Sequence, residues 1–152
     1  IFVRKGYPVK LINCIVSNNG SHGIRMYSAG VGETYAYNCV AVGNGGYGFT
    51  CDGYRYMEAV NCYAGGNTGA DYFWNPDSYA APPSFSYSED GTEGTPTAPF
   101  TTTTFFSVSG TGNFHLANGS ALAGNGTDLS GTFTTDIDGD TRTVPWSIGA
   151  DQ

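Results

Sequence analysis

The dipeptide Asn-Cys occurs three times, at Asn13-Cys14, Asn38-Cys39 and Asn61-Cys62. The cysteines are 39 − 14 = 25 and 62 − 39 = 23 residues apart, a period that marks repeat architectures. The surroundings recur with them. Counting from each Cys, the fifth residue on is Asn19, Asn44 or Asn67, and the ninth is Gly23, Gly48 or Asp71. The tenth is Ile24, Phe49 or Tyr72, and the twelfth Met26, Cys51 or Trp74. Columns in such register require a coil whose successive turns stack like residues on like. About 25 residues per turn leaves no room for a crossover helix, so each turn must be built from strands and tight turns.

Within a repeat the pattern has a period of two. Ile12, Cys14 and Val16 alternate with Asn13 and Ile15, and Tyr37-Cys39-Ala41 and Val60-Cys62-Ala64 follow suit, which predicts a strand with one face inward. Clusters that accept left-handed backbone come next: Ser17 to Gly20, Gly43 to Gly46 and Gly65 to Asn67. A second short strand follows each, at Ile24–Met26, Phe49–Cys51 and Tyr72–Trp74. Asn19, Asn44 and Asn67 are expected to form an internal amide ladder that satisfies buried polar groups. Cys14, Cys39 and Cys62 would stack about 4.8 Å apart with parallel Cβ vectors, which suits small buried hydrophobes better than disulfides.

The chain reads as all-β: a right-handed parallel β-helix, or solenoid, of about three regular turns over residues 1–74. Residues 8–74 resemble the repeats of the pectate-lyase-like superfamily, through Ile12-Asn13-Cys14-Ile15-Val16, Asn18-Asn19-Gly20 and Gly23-Ile24. Residues 75–112 are rich in Pro and Thr and are read as an excursion laid along the coil with Phe100, Phe105 and Phe106 as candidate anchors, a glycosylated or linker segment being the alternative. Residues 113–152, from Phe114-His115-Leu116 to Ile148-Gly149-Ala150-Asp151, resemble the terminal module of bacterial and phage β-helix proteins. That resemblance implies a cap over the last turn, protecting strand edges that would otherwise aggregate. Ile1-Phe2-Val3 reads as an interrupted strand, continuing earlier turns or pairing with another subunit.

Composition narrows function. Net charge is −7 with six Lys and Arg, so nucleic acid is not an expected partner. No apolar run suits membrane insertion. Only 12 % of residues are charged, and solvation by Asn, Ser, Thr and Tyr points to an extracellular, cell-surface or viral-particle setting.

The superfamily resemblance implies polysaccharide cleavage, but the residues argue against it. Ser21-His22-Gly23 resembles a polygalacturonase element, yet Glu33, Asp52 and Glu58 share no column in which to act as a carboxylate pair. Arg4-Lys5 and Arg55 do not reproduce a lyase motif. No cofactor is expected. Asp136, Asp138 and Asp140 have the alternation of a calcium loop, or else cap a tight turn beside Arg142. Tyr35, Tyr47, Tyr54 and Tyr63 are candidates for stacking on sugar rings, with core filling as the alternative.

The expected function is therefore a non-enzymatic module of a surface fibre or adhesin, holding a polysaccharide or glycan, or self-associating through its N-terminal edge. A lyase or glycoside hydrolase is the alternative.

Overall fold

A computed structural model of the protein describes residues 1–4, 7–27, 33–52, 56–76, 80–91, 95–96 and 114–152. Among them are twelve short strands and no helix. In chain order these are β1 Phe2–Val3, β2 Val9–Ile12, β3 Ile15–Ser17, β4 Ile24–Tyr27, β5 Glu33–Tyr37, β6 Val40–Val42, β7 Phe49–Asp52, β8 Tyr56–Val60, β9 Tyr63–Gly65, β10 Tyr72–Trp74, β11 Tyr87–Ser88 and β12 Thr95–Pro96. All strand pairs are parallel, and they stack into three sheets ordered β1-β4-β7-β10, β2-β5-β8 and β3-β6-β9-β11-β12. The architecture is a parallel β-solenoid of about three turns. Register follows the repeat: Leu11 lies beside Ala36 and Ala36 beside Ala59, while Met26, Cys51 and Trp74 make another column.

Each turn holds three strands, one more than the alternating pattern predicts. The strand expected through Asn-Cys is broken at its asparagine: Asn13, Asn38 and Asn61 adopt φ of 52°, 51° and 54°. Asn reaches this left-handed region with little strain, whereas most residues do not. The corner also resets the inward parity. Leu11, rather than Ile12, packs with Cys14 and Val16, and Ala36 and Ala59 are the buried partners of Cys39 and Cys62. Ile24, Phe49 and Tyr72 complete the interior, with the rings of Phe49 and Tyr72 stacked at 5.0 Å. A second corner uses Asn18, Gly43 and Gly66, again at positive φ.

The segment after Trp74 is not wholly an excursion. Residues 80–91 begin a fourth turn: Ser84 bridges Val60, and Tyr87 and Ser88 pair with Tyr63 and Ala64. Phe85-Ser86 occupies the Asn-Cys position. Phe85 has φ of 46°, and Ser86 Oγ accepts from Cys62 N (3.0 Å). The anchors expected at Phe100, Phe105 and Phe106 lie outside the described residues.

The terminal segment, expected over the coil's end, runs along its flank. Leu122, Ile148 and Ala150 pack on Val40, Val42 and Tyr63, which face out of the β3-β6-β9 sheet and form a second core there. Burying Leu122 and Ile148 contributes roughly 1.5–3 kcal/mol each. The corner asparagines hold the segment at three successive turns. Asn13 Nδ2 donates to Thr135 O (2.8 Å) and its Oδ1 accepts from Arg142 Nη2 (3.1 Å). Asn38 Nδ2 donates to Ser147 O and Gly149 O, both at 2.9 Å. Asn61 Nδ2 donates to Thr127 O, and its Oδ1 accepts from Thr127 N, both at 2.8 Å. Buried Arg142 lies over the Trp146 ring at 5.3 Å and donates to Gly149 O and Ala150 O. Burial lowers its pKa, against the opposing pull of Asp136 and Asp151.

Candidate functional site

The repeat's second asparagine column is a continuous chain of amides. Asn19 Nδ2 donates to Asn44 Oδ1 and Asn44 Nδ2 to Asn67 Oδ1, both at 3.0 Å. Asn44 and Asn67 also donate to the carbonyls of Val16 and Ala41. Asn44 is buried, while Asn19, in the first turn, is exposed. Glycine follows because a Cβ on Gly48 would stand 2.6 Å from Asp71 O and 2.7 Å from Asn67 Nδ2. In the third turn Asp71 replaces that glycine and ends the chain, its Oδ1 accepting from Asn67 Nδ2 (2.9 Å). Its Oδ2 accepts from Glu89 N (2.7 Å) and Asp90 N (3.1 Å), while the Ser88 hydroxyl beside it donates to Asp90 Oδ1 (2.7 Å). Burial raises the Asp71 pKa, and the Asn67 amide opposes the rise. Cys14, Cys39 and Cys62 are free thiols; Cys14 is half-buried and the other two are buried. Burial pushes the Cys39 thiol well above its ordinary pKa, which suits packing rather than reactivity.

The tyrosine candidates separate sharply. Tyr63 is fully buried beneath the terminal segment, so it presents no face to a ligand. Tyr47 is stacked between His22 at 5.1 Å and Phe73 at 4.5 Å, each ring nearly parallel to it. The core-filling alternative holds for Tyr63, and Tyr47 belongs to a stack. Tyr54 and Arg55 lie outside the described residues.

Tyr35 stands differently, on the outer face of the β2-β5-β8 sheet. Period-two alternation there turns Thr34 and Ala36 inward and Glu33, Tyr35 and Tyr37 outward. Its ring lies 5.9 Å from both Tyr37 and Tyr56. Tyr35 OH donates to Glu33 Oε2 (2.5 Å) and Tyr56 OH to Glu58 Oε2 (2.8 Å). The Glu33 hydrogen bond raises the Tyr35 pKa to about 12; burial, then the Glu58 bond, raises Tyr56 to about 12. Lys10 pairs in register with Tyr35, and Tyr35 with Glu58. The result is a patch of three partly exposed rings, Tyr35, Tyr37 and Tyr56, in which the Tyr35 and Tyr56 hydroxyls are held by carboxylates. The alternating pattern assigns Tyr37 to the inward face, and the corner's parity shift that turns Tyr35, Tyr37 and Tyr56 outward was not legible.

His22 and Arg25 also have structural partners. His22 Nδ1 accepts from Tyr47 N (2.9 Å), and Arg25 pairs with Asp52 at 2.7 Å. A depression of about 570 Å³ beside Asn67 and Asp71 also contains Glu89 and Asp90. There Glu89 Oε2 accepts from Gly66 N and Asp90 Oδ2 from Asp71 N.

The three aspartates do not converge. Asp136 Oδ1 accepts from Asp138 N (3.0 Å) and Asp140 N (2.9 Å), fastening a tight turn with Gly139 at φ of 90°. Asp138 points its carboxylate instead to His115 Nδ1, 3.2 Å away, which is also 3.4 Å from Asp151 Oδ1.

No protein-family model, curated protein or solved structure matches the chain.

Proposed function

We propose that this chain is a non-enzymatic structural module of an extracellular or particle-surface fibre or adhesin, related to the pectate-lyase-like β-helix proteins, that binds carbohydrate on the Tyr35-Tyr37-Tyr56 patch. The carrying observation is that patch: three partly exposed rings on a parallel sheet, with Tyr35 5.9 Å from both Tyr37 and Tyr56. Tyrosine offers a flat apolar face to a sugar ring and a polar tip to its hydroxyls. Glu33 and Glu58 orient two of the phenols and leave carboxylate lone pairs for sugar hydroxyls. Their negative charge, within a net −7, favours neutral over uronate-bearing glycans. Self-association by strand addition has its own support in the edge positions of β1, β2 and β3.

The lyase or hydrolase reading finds its support in the acidic depression around Asp71. That carboxylate already accepts from three protein donors, Asn67 Nδ2, Glu89 N and Asp90 N, a pattern of backbone bracing.

Retention on neutral glycan arrays tests the proposal. Tyr35→Ala should weaken it by about ten-fold, equivalent to roughly 1.4 kcal/mol, with Tyr35→Phe nearer to wild type. Retention indifferent to Tyr35→Ala, or none by the wild type, refutes it. Release of reducing ends or unsaturated products would favour the enzyme.

A further inference from the structure

We propose that His115, Asp138 and Asp151 form a binding site for a divalent transition metal of the zinc class, which clasps the terminal segment to itself. The ligand atoms, one imidazole nitrogen and two carboxylate oxygens, all lie within 4.8 Å of one another. The His115 Nδ1 distances to Asp138 Oδ2 and Asp151 Oδ1 are 3.2 and 3.4 Å. A tetrahedral ion with bonds of 2.0–2.1 Å separates its ligand atoms by about 3.3 Å, so this edge spacing suits zinc with little rearrangement.

The three residues come from distant points of the segment, and local bonds fix two of them. Asp151 Oδ2 accepts from Leu116 N (2.6 Å), which leaves Oδ1 facing His115. Such an outer hydrogen bond is the usual support of a ligating carboxylate. Asp138 is set by the turn that Asp136 caps. His115 and Asp138 have side chains 45 % exposed, so an ion has access and water can complete the coordination. The nitrogen ligand decides the metal class. Calcium takes six to eight oxygens, whereas imidazole with carboxylates suits zinc, cobalt or nickel.

The bland reading is an ion pair between protonated His115 and the two carboxylates. Calorimetric titration of chelator-treated protein with Zn²⁺ and Ca²⁺ separates the two. The metal site predicts one Zn²⁺ per chain, preferred over Ca²⁺, and weakened about ten-fold or more by His115→Gln and by Asp138→Asn. Both substitutions are at partly exposed side chains, and circular dichroism checks the fold of each variant. Zn²⁺ at a hundred times its Kd should raise the wild-type Tm by roughly 5–10 °C, and by less in the variants. Co²⁺ should give the visible bands of a low-coordinate ion, lost in His115→Gln. The proposal is overturned by no saturable heat up to millimolar Zn²⁺, by equal Ca²⁺ affinity, or by Zn²⁺ binding that persists in His115→Gln, which would place the ion at the free thiols or elsewhere.

Discussion

Asn38→Ala is the sharpest test of how the terminal segment is held. Asn38 is fully buried, and its side chain makes three hydrogen bonds: to Ser147 O, to Gly149 O, and from Asn61 Nδ2 (3.2 Å). Truncation leaves two carbonyls and an amide short of a partner, at about 1–1.5 kcal/mol each. Alanine must also adopt φ near 51°, which adds about 1 kcal/mol relative to asparagine. The expected loss is about 4–5 kcal/mol. Asn38→Gly removes the same bonds without the backbone strain, so its loss should be about 3–4 kcal/mol. Urea unfolding followed by Trp146 fluorescence measures both, since that indole is buried against Phe133 and Arg142 of the segment and precedes Ser147, which Asn38 holds. Trp74→Phe in the background isolates the signal. Hydrogen exchange should accelerate over residues 146–151 before it does in the sheets. A loss below about 1 kcal/mol for Asn38→Ala, with Trp146 emission and exchange unchanged, would refute the reasoning that corner asparagines dock the segment.

Two further outcomes probe the coil itself. Gly48→Ala should cost about 3 kcal/mol, lowering Tm by roughly 6–12 °C, because the new methyl collides with Asp71 O and the amide chain. Gly20→Ala, with nothing within 4 Å of its new methyl, should stay within about 0.5 kcal/mol of wild type. Acid stability should carry the signature of His22, whose pKa is lowered by burial first and by Arg25 second. Below its unfolded value the unfolded chain binds more protons, so its contribution is complete above about pH 6.5 and is lost as pH falls through the lowered folded value. His22→Phe keeps a ring to stack on Tyr47. The wild-type minus variant stability difference, from urea melts between pH 4 and 8, should therefore decline on acidification; a flat difference would contradict it.

Much of the fold was legible because stacking imposes residue identity. The columns Ile24-Phe49-Tyr72 and Asn19-Asn44-Asn67 are local in spacing, and nothing distant has to be known to read them. Asn13, Asn38 and Asn61 were equally visible, but their geometry was not: a left-handed corner looks like any other step in a period-two pattern. The fourth turn was hidden because Phe85-Ser86 keeps the corner conformation while abandoning the letters. Docking of the terminal segment depends on pairings 66 to 129 residues apart, and outward-facing Val40, Val42 and Tyr63 resemble ordinary strand residues until a partner covers them. The burial of Tyr63 was hidden for the same reason. Tyr63 and Tyr35 are alike on paper, and only the covering segment distinguishes them.

Solenoids commonly tolerate gain or loss of a repeat, since each unit touches only its neighbours. Here the strap anchored at Asn13, Asn38 and Asn61 grips three successive corners with fixed residues of its own. Inserting or deleting one 23–25-residue unit between those corners would slide the grips out of step, so the strap acts as a ruler that sets the height of the coil.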